Sequence, residues 1–359
     1  MIFTSLLVFV PISLALSYWF RVSPIWVFIT SAAAIIPLAE WIRRGTDQLA
    51  NRAGPAIGGL LNITFGSVAE LTLALFVLAK GHNEIVKAQI TGSLIGTSLL
   101  GLGIAIVVGG WKREKQSFLR ERAGLMGSLL ILSVIALLVP VLFDYTEHGL
   151  FAGKSDNPGR LDEELSICVS VVLILVYLAN LVYTLVTHRD VFSARQDPEQ
   201  AGEPGWPLWK SMGVLLAATA VVAVESDLVS GSLEVTAGRL GLTTLFLGVI
   251  VLALIGNAAE IMAATYFARQ DKMGLVMGIC VGSTVQTALV LAPVLVLISY
   301  FMGHPMNLVF TNPLELIAIV GAVFAVNSIA RDGETTWFEG ALLIAVYSLF
   351  GLAFFFATP

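Results

Sequence analysis

Apolar runs long enough to cross a bilayer recur from one end of this sequence to the other, and they leave few choices of fold. Leu125–Leu142, Ile167–Val186 and Met212–Val224 are three of them. A spanning helix needs about 20 such residues, and in lipid it must satisfy its backbone polar groups within itself. Charged residues make up 13% of the chain and hydrophobic ones 57%. A soluble domain carries about 25% charged residues, so this chain lacks the polar surface that water demands. Strands of a membrane barrel would alternate apolar and polar residues over short segments, which these runs do not. The expected class is an all-α integral membrane protein embedded in the lipid bilayer.

Hydropathy predicts eleven transmembrane helices, near 4–19, 24–42, 55–79, 84–109, 121–142, 164–187, 207–229, 238–267, 271–300, 311–330 and 336–357. The first has no basic residues before it and no small-residue cleavage site, and reads as a retained helix rather than a signal peptide. The loops after the even-numbered helices hold 14 of the 20 basic residues, among them Arg43, Arg44, Arg52, Lys112, Arg113, Lys115, Arg269, Lys272 and Arg331. The positive-inside rule puts those loops in the cytoplasm, with the N-terminus cytoplasmic and the C-terminus external. The polar cytoplasmic segment His188–Trp206 and the acidic external segment Asp144–Glu164 read as solvated loops, with a weak cation-attracting field as the sharper alternative. Cys168 and Cys280 lie in apolar runs and read as small buried hydrophobes.

A repeat organises the chain. Gly66-Ser-Val-Ala-Glu70 recurs as Gly256-Asn-Ala-Ala-Glu260, and Gly92-Ser-Leu-Ile-Gly-Thr97 recurs as Gly282-Ser-Thr-Val-Gln-Thr287, both 190 residues on. Gly58 and Gly248 match at the same offset. The repeat unit holds five helices, an odd number, so the second copy enters the membrane from the other face. Such inverted repeats are typical of secondary transporters with a midplane site. The implied division is a leading helix at 1–22, a first five-helix repeat at 23–188, a cytoplasmic acidic linker at 189–206 and a second repeat at 207–359.

Glu70 and Glu260 fall about fifteen residues or more into the third and eighth helices, near the bilayer centre at about 1.5 Å per residue. An ionisable group at that depth should face protein, an ion or water, and the inverted copies are expected to set the two carboxylates opposite each other. Ser67 and Asn257 each lie three residues before a glutamate, on its helix face. Thr64, Ser93, Thr97, Ser283 and Gln286 add further oxygens, and Gln286 replaces the Gly96 of the first copy. The flanking glycines can free carbonyls or permit close packing. Carboxylate, amide and hydroxyl oxygens without His or Cys favour a hard cation, Ca2+ above all. Two buried like charges also retain protons, so protons and Ca2+ are expected to compete for the pair. Glu40, Glu225 and Asp227 are weaker candidates for entry or gating; a snorkelling position at a helix end is the blander reading of each. The four histidines fall in loops with no metal spacing.

These residues resemble the calcium/proton exchangers (CAX) of the Ca2+/cation antiporter superfamily. The segments that carry the likeness are Gly58-Gly-Leu-Leu-Asn-Ile-Thr-Phe-Gly-Ser-Val-Ala-Glu70, Lys87-Ala-Gln-Ile-Thr-Gly-Ser-Leu-Ile-Gly96, Gly256–Glu260 and Gly282–Gln286 with Ala292-Pro293. The resemblance implies eleven helices, one leading two five-helix halves, and glutamates at 70 and 260 that bind Ca2+ and H+ in turn, with the Gly-Ser helices and Gln286 completing the site. This chain departs at Ser67 and Thr97, where the family usually carries Asn, so its first-half site is poorer in amides. The expectation is a Ca2+/H+ antiporter of a prokaryotic inner membrane, neither an enzyme nor a nucleic-acid binder, needing no cofactor beyond Ca2+ as transported substrate. A Na+- or K+-coupled exchanger is the alternative, a cation channel ranks below it, and an intramembrane enzyme ranks last because no such motif is present.

Overall fold

The computed structural model describes residues 5–20, 22–146, 158–187, 205–310 and 312–357, leaving out the side chains of 54–60, 62–64, 158–160 and 185. The linker at 188–204, the acidic segment at 147–157 and the Thr64 side chain therefore lie outside the described residues. Eleven helices are described: α1 Phe9–Trp19, α2 Pro24–Gly66, α3 Val68–Ala79, α4 Asn83–Gly110, α5 Arg120–Tyr145, α6 Pro158–Val182, α7 Leu208–Leu240, α8 Thr244–Arg269, α9 Met273–Met302, α10 Pro313–Ala330 and α11 Trp337–Phe356. Nine of them are long and apolar enough to cross a membrane; α1 and α3 are shorter apolar helices. Two-residue strands β1 Gln116–Ser117 and β2 Glu334–Thr335 pair antiparallel.

The chain forms two compact units. One comprises Met1–Phe76 and Leu175–Thr236, and the other Val77–Ile174 and Ala237–Pro359. The most apolar stretch of α4 is 83% inside protein, against 22% for α6 and α11. The motif-bearing helix is thus interior, while the plainly apolar helices face outward. Exposed large side chains such as Phe301 and Phe324 suit a lipid surface. Cys280 is buried as expected, but Cys168 lies on the exposed face of α6, and both are free thiols.

Two predicted loops are helical. The backbone of α2 runs unbroken for 43 residues through the predicted loop at 43–54. That is roughly 65 Å of helix against a hydrocarbon core of about 30 Å. Ion pairs one turn apart sustain it: Glu40 with Arg43 at 2.9 Å and with Arg44 at 2.7 Å, and Arg43 with Asp47 at 2.7 Å. The predicted gap at 230–237 lies inside α7. There Ser232 and Thr236 return their hydroxyls to the carbonyls of Leu228 and Ser232, at 2.6 and 2.7 Å. Polar side chains satisfied by their own helix lower hydropathy without ending the helix.

The repeat is visible in backbone geometry. α3 ends at Ala79 and α8 at Arg269, and positive φ follows at Gly81 (83°) and Asp271 (62°). The next helices start from matching N-caps, His82 at φ −89°, ψ 58° and Lys272 at φ −99°, ψ 56°. Each pair is 190 residues apart. Glycine takes the left-handed conformation freely, and aspartate is among the few other residues that tolerate it. Within the second unit, loops predicted on the same side meet. Strands β1 and β2 join two of the basic loops, and Arg113 reaches Asp271 of a third at 3.7 Å. On the opposite side Asn83 donates to the Pro305 carbonyl at 2.9 Å and Lys87 to Asn307 at 2.7 Å.

Candidate cation site

In the second unit the site starts with a close approach of backbones. A Cβ at Gly92 of α4 would stand 1.9 Å from the Val249 carbonyl oxygen, and one at Gly248 would stand 2.5 Å from the Ala88 Cβ. Only glycine at both positions lets α4 lie against α8. Val249 belongs to a π-helical stretch, Leu247–Leu252; α4 and α9 carry others at Gly96–Gly101 and Thr287–Leu291. Such bulges widen a helix and gather at functional sites.

This packing sets Ser93 beside Asn257, both without solvent exposure. The Asn257 amide donates to Ser93 Oγ at 3.0 Å and to the Ala253 carbonyl at 2.8 Å. Ser93 Oγ is also 3.5 Å from Thr287 Oγ1, and Thr97 Oγ1 is 2.9 Å from Thr284 Oγ1. One turn beyond Asn257, the half-buried Glu260 accepts a 2.5 Å hydrogen bond from Ser283. Gln286 is half-buried on the same helix as Ser283. A side chain at Gly96 or Gly66 would meet no atom within 4 Å, and one at Gly282 only the tip of Met126. These glycines leave open space, whereas Gly92 and Gly248 serve packing.

In the first unit the equivalent segment is built differently. The helix breaks at Ser67, with φ −104° and ψ 20°, and Glu70 falls in the first turn of α3. Glu70 is 2% exposed and Ser67 9%. A new helix N-terminus stabilises a carboxylate in its first turn. Asn257, the counterpart of Ser67, sits inside a continuous helix instead.

The weaker candidates separate. Glu40 is ion-paired on α2. Asp227 is half-buried on α7. Glu225 is fully buried mid-helix and accepts from Ser13 at 2.7 Å, so it is no snorkelling end residue. Thr284 and Thr287 were missed. Thr287 carries a signal, since it repeats Thr97; Thr284 repeats Leu94 and has none. No group of three or more His, Cys, Asp or Glu side chains that could hold a metal occurs among the described residues. A metal here would lean on hydroxyl, amide and carbonyl oxygens beside few carboxylates, a donor set that suits Ca2+.

Fold and site together define a helical membrane protein with an internal repeat and, in one copy, a glutamate bonded to a serine hydroxyl. A family model described as sodium/calcium exchanger protein matches residues 23–186 and 210–356, and the chain belongs to that family. It is 44% identical to a Ca(2+)/H(+) antiporter of Synechocystis over 99% of this chain and 97% of that protein. It is 41% identical to the Ca(2+)/H(+) antiporter ChaA of Bacillus subtilis over 91% of each. Among solved structures, native YfkE matches with a TM-score of 0.83 at 35% identity, covering 99% of this chain and 100% of that one. The H+/Ca2+ exchanger CAX matches with a TM-score of 0.69, covering 98% and 91%; at 15% identity that likeness is of fold alone.

Proposed function

We propose that this protein exchanges Ca2+ for H+ across a prokaryotic inner membrane, extruding Ca2+ from the cytoplasm, with its N-terminus cytoplasmic and its C-terminus external. Glu70 and Glu260 bind metal and protons in turn. Ser67, Ser93, Thr97, Asn257, Ser283 and Gln286 supply the neutral oxygens. The observation that carries this reading is the Glu260 carboxyl, held by a serine hydroxyl at 2.5 Å in a membrane helix, within a motif repeated at Glu70. The antiporter names of relatives above 40% identity support it.

The chemistry follows from charge. Two carboxylates hold two negative charges, which one Ca2+ or two protons neutralise. An ionised, empty pair in lipid is the costly state, so release of one cargo favours uptake of the other. Alternating access then turns that competition into coupled transport.

The test is a proteoliposome assay of Ca2+ movement against a pH gradient. Wild type is expected to couple the two, and Glu70→Gln and Glu260→Gln are each expected to abolish coupling while remaining folded. Near-normal transport in either variant would refute the assignment. The second reading, a Na+- or K+-coupled exchanger, draws on the hydroxyls at Ser67 and Thr97. It predicts that Na+ or K+, and not a pH gradient, drives Ca2+ in the same vesicles.

A further inference from the structure

Glu225 lies on α7 at 0% exposure, outside the repeated motifs. Its Oε1 is 2.7 Å from the Oγ of Ser13, a fully buried residue of the leading helix. The same Ser13 Oγ is 2.8 Å from the Val10 carbonyl oxygen. A serine hydroxyl has one proton to donate, and a carbonyl oxygen can only accept. The single Ser13 proton is either shared between the two acceptors or given wholly to Val10, and in the second arrangement Glu225, as a carboxylic acid, donates to Ser13 and both contacts are full hydrogen bonds.

The surroundings permit the other state as well. Ser31 of α2, fully buried, stands beside the same carboxyl. Its Oγ and Glu225 Oε2 have no hydrogen-bond partner among the described residues. After ionisation, Ser13 and Ser31 can each turn a hydroxyl toward the carboxylate. Among the described residues the groups that act on this carboxyl are the two serines, with no charged side chain beside them. Residues 5–20 carry no ionisable side chain except Tyr18, and 24–39 carry none. Residues 175–187 carry only Tyr177 and Tyr183, and on α7 Asp227 is two residues away, off the face of Glu225.

We propose that Glu225 is a proton-binding residue separate from Glu70 and Glu260, and that its protonation state sets how the leading helix is held against α7. When protonated, its O–H docks on Ser13. On ionisation the proton passes to solvent, and Ser13 turns from the Val10 carbonyl to the carboxylate. The proton load on α7 is thereby linked to α1, a helix outside the repeat. That Glu225 shapes the pH response of transport rests on the antiport reading; that it holds a proton does not.

Infrared difference spectra of the purified, Ca2+-free protein across a pH titration test the proton site directly. A protonated-carboxyl carbonyl band is expected in wild type and in a Glu70→Gln/Glu260→Gln double variant, and the part of it that belongs to Glu225 is expected to be lost when Glu225→Gln is added to either. Ser13→Ala removes the acceptor and should move that band to higher frequency. Identical spectra for wild type and Glu225→Gln at every pH where both are folded would overturn the proposal. If Glu225→Gln does not fold, an unmoved band in Ser13→Ala would do so. In vesicles, the pH dependence of Ca2+ uptake should be shallower in Glu225→Gln. An unchanged slope would overturn the regulatory half, while uncoupled wild-type vesicles would count against antiport alone.

Discussion

Ser283 donates its hydroxyl proton to Glu260, the second-half carboxyl proposed to bind the ion. A hydrogen bond to a charged group is worth about 1.5–3 kcal/mol, or roughly tenfold to a hundredfold in an equilibrium constant. Ser283→Ala should therefore weaken Ca2+ uptake in vesicles by about that factor, and Ser283→Thr should restore most of it. Unchanged uptake in Ser283→Ala would mean that the hydroxyl does not serve the ion site. The threonines nearby show why the residue scale was only partly readable. Thr287 and Thr284 enter through contacts with Ser93 and Thr97 that join α4 to α9, and neighbours in sequence do not reveal partners about 190 positions away.

Between elements, two glycines on one helix have opposite duties. Gly92 touches the backbone of α8, whereas the space beside Gly96 is open. Gly92→Ala would force α4 off α8 at a cost of at least about 1–3 kcal/mol, as other overpacked interfaces show. Its melting temperature in detergent should fall clearly, while Gly96→Ala should melt like wild type. Equal melting of the two variants would contradict the packing described. The strand pair makes another prediction. Lys115 donates to Glu334 at 2.7 Å, and that hydrogen bond raises the lysine above its usual range. For a raised lysine, the stabilisation is fully present below the unfolded value near 10.4 and is lost only as pH rises through the folded one. Lys115→Met should therefore leave the pH profile of Ca2+ uptake around neutrality unchanged, and a shift there would place this loop in the proton chemistry.

For the whole molecule, the proposed mechanism sets two protons against one divalent cation. If both carboxyls are protonated in the Ca2+-free protein, apparent Ca2+ affinity should rise up to about a hundredfold per pH unit, by linkage. It should flatten once both carboxyls are ionised. Calcium titrations of purified protein at several pH values would show this; a slope near tenfold would mean that only one glutamate exchanges its proton.

The sequence alone was sufficient for the membrane class, the eleven helices and the 190-residue register, which the structure then extends to matching turns at Gly81 and Asp271. Each depends on local composition or on identity between copies, which the order of residues records. It could not tell that 43–54 and 230–237 are helical, because hydropathy registers polarity and not whether a polar group has found a partner in its own helix. Nor could it tell that the helix breaks at Ser67 but runs on through Asn257, or that Ser13 meets Glu225 from 212 positions away. Those choices follow from which backbones pack closely enough to share hydrogen bonds, and packing at that range exists only once the chain has folded.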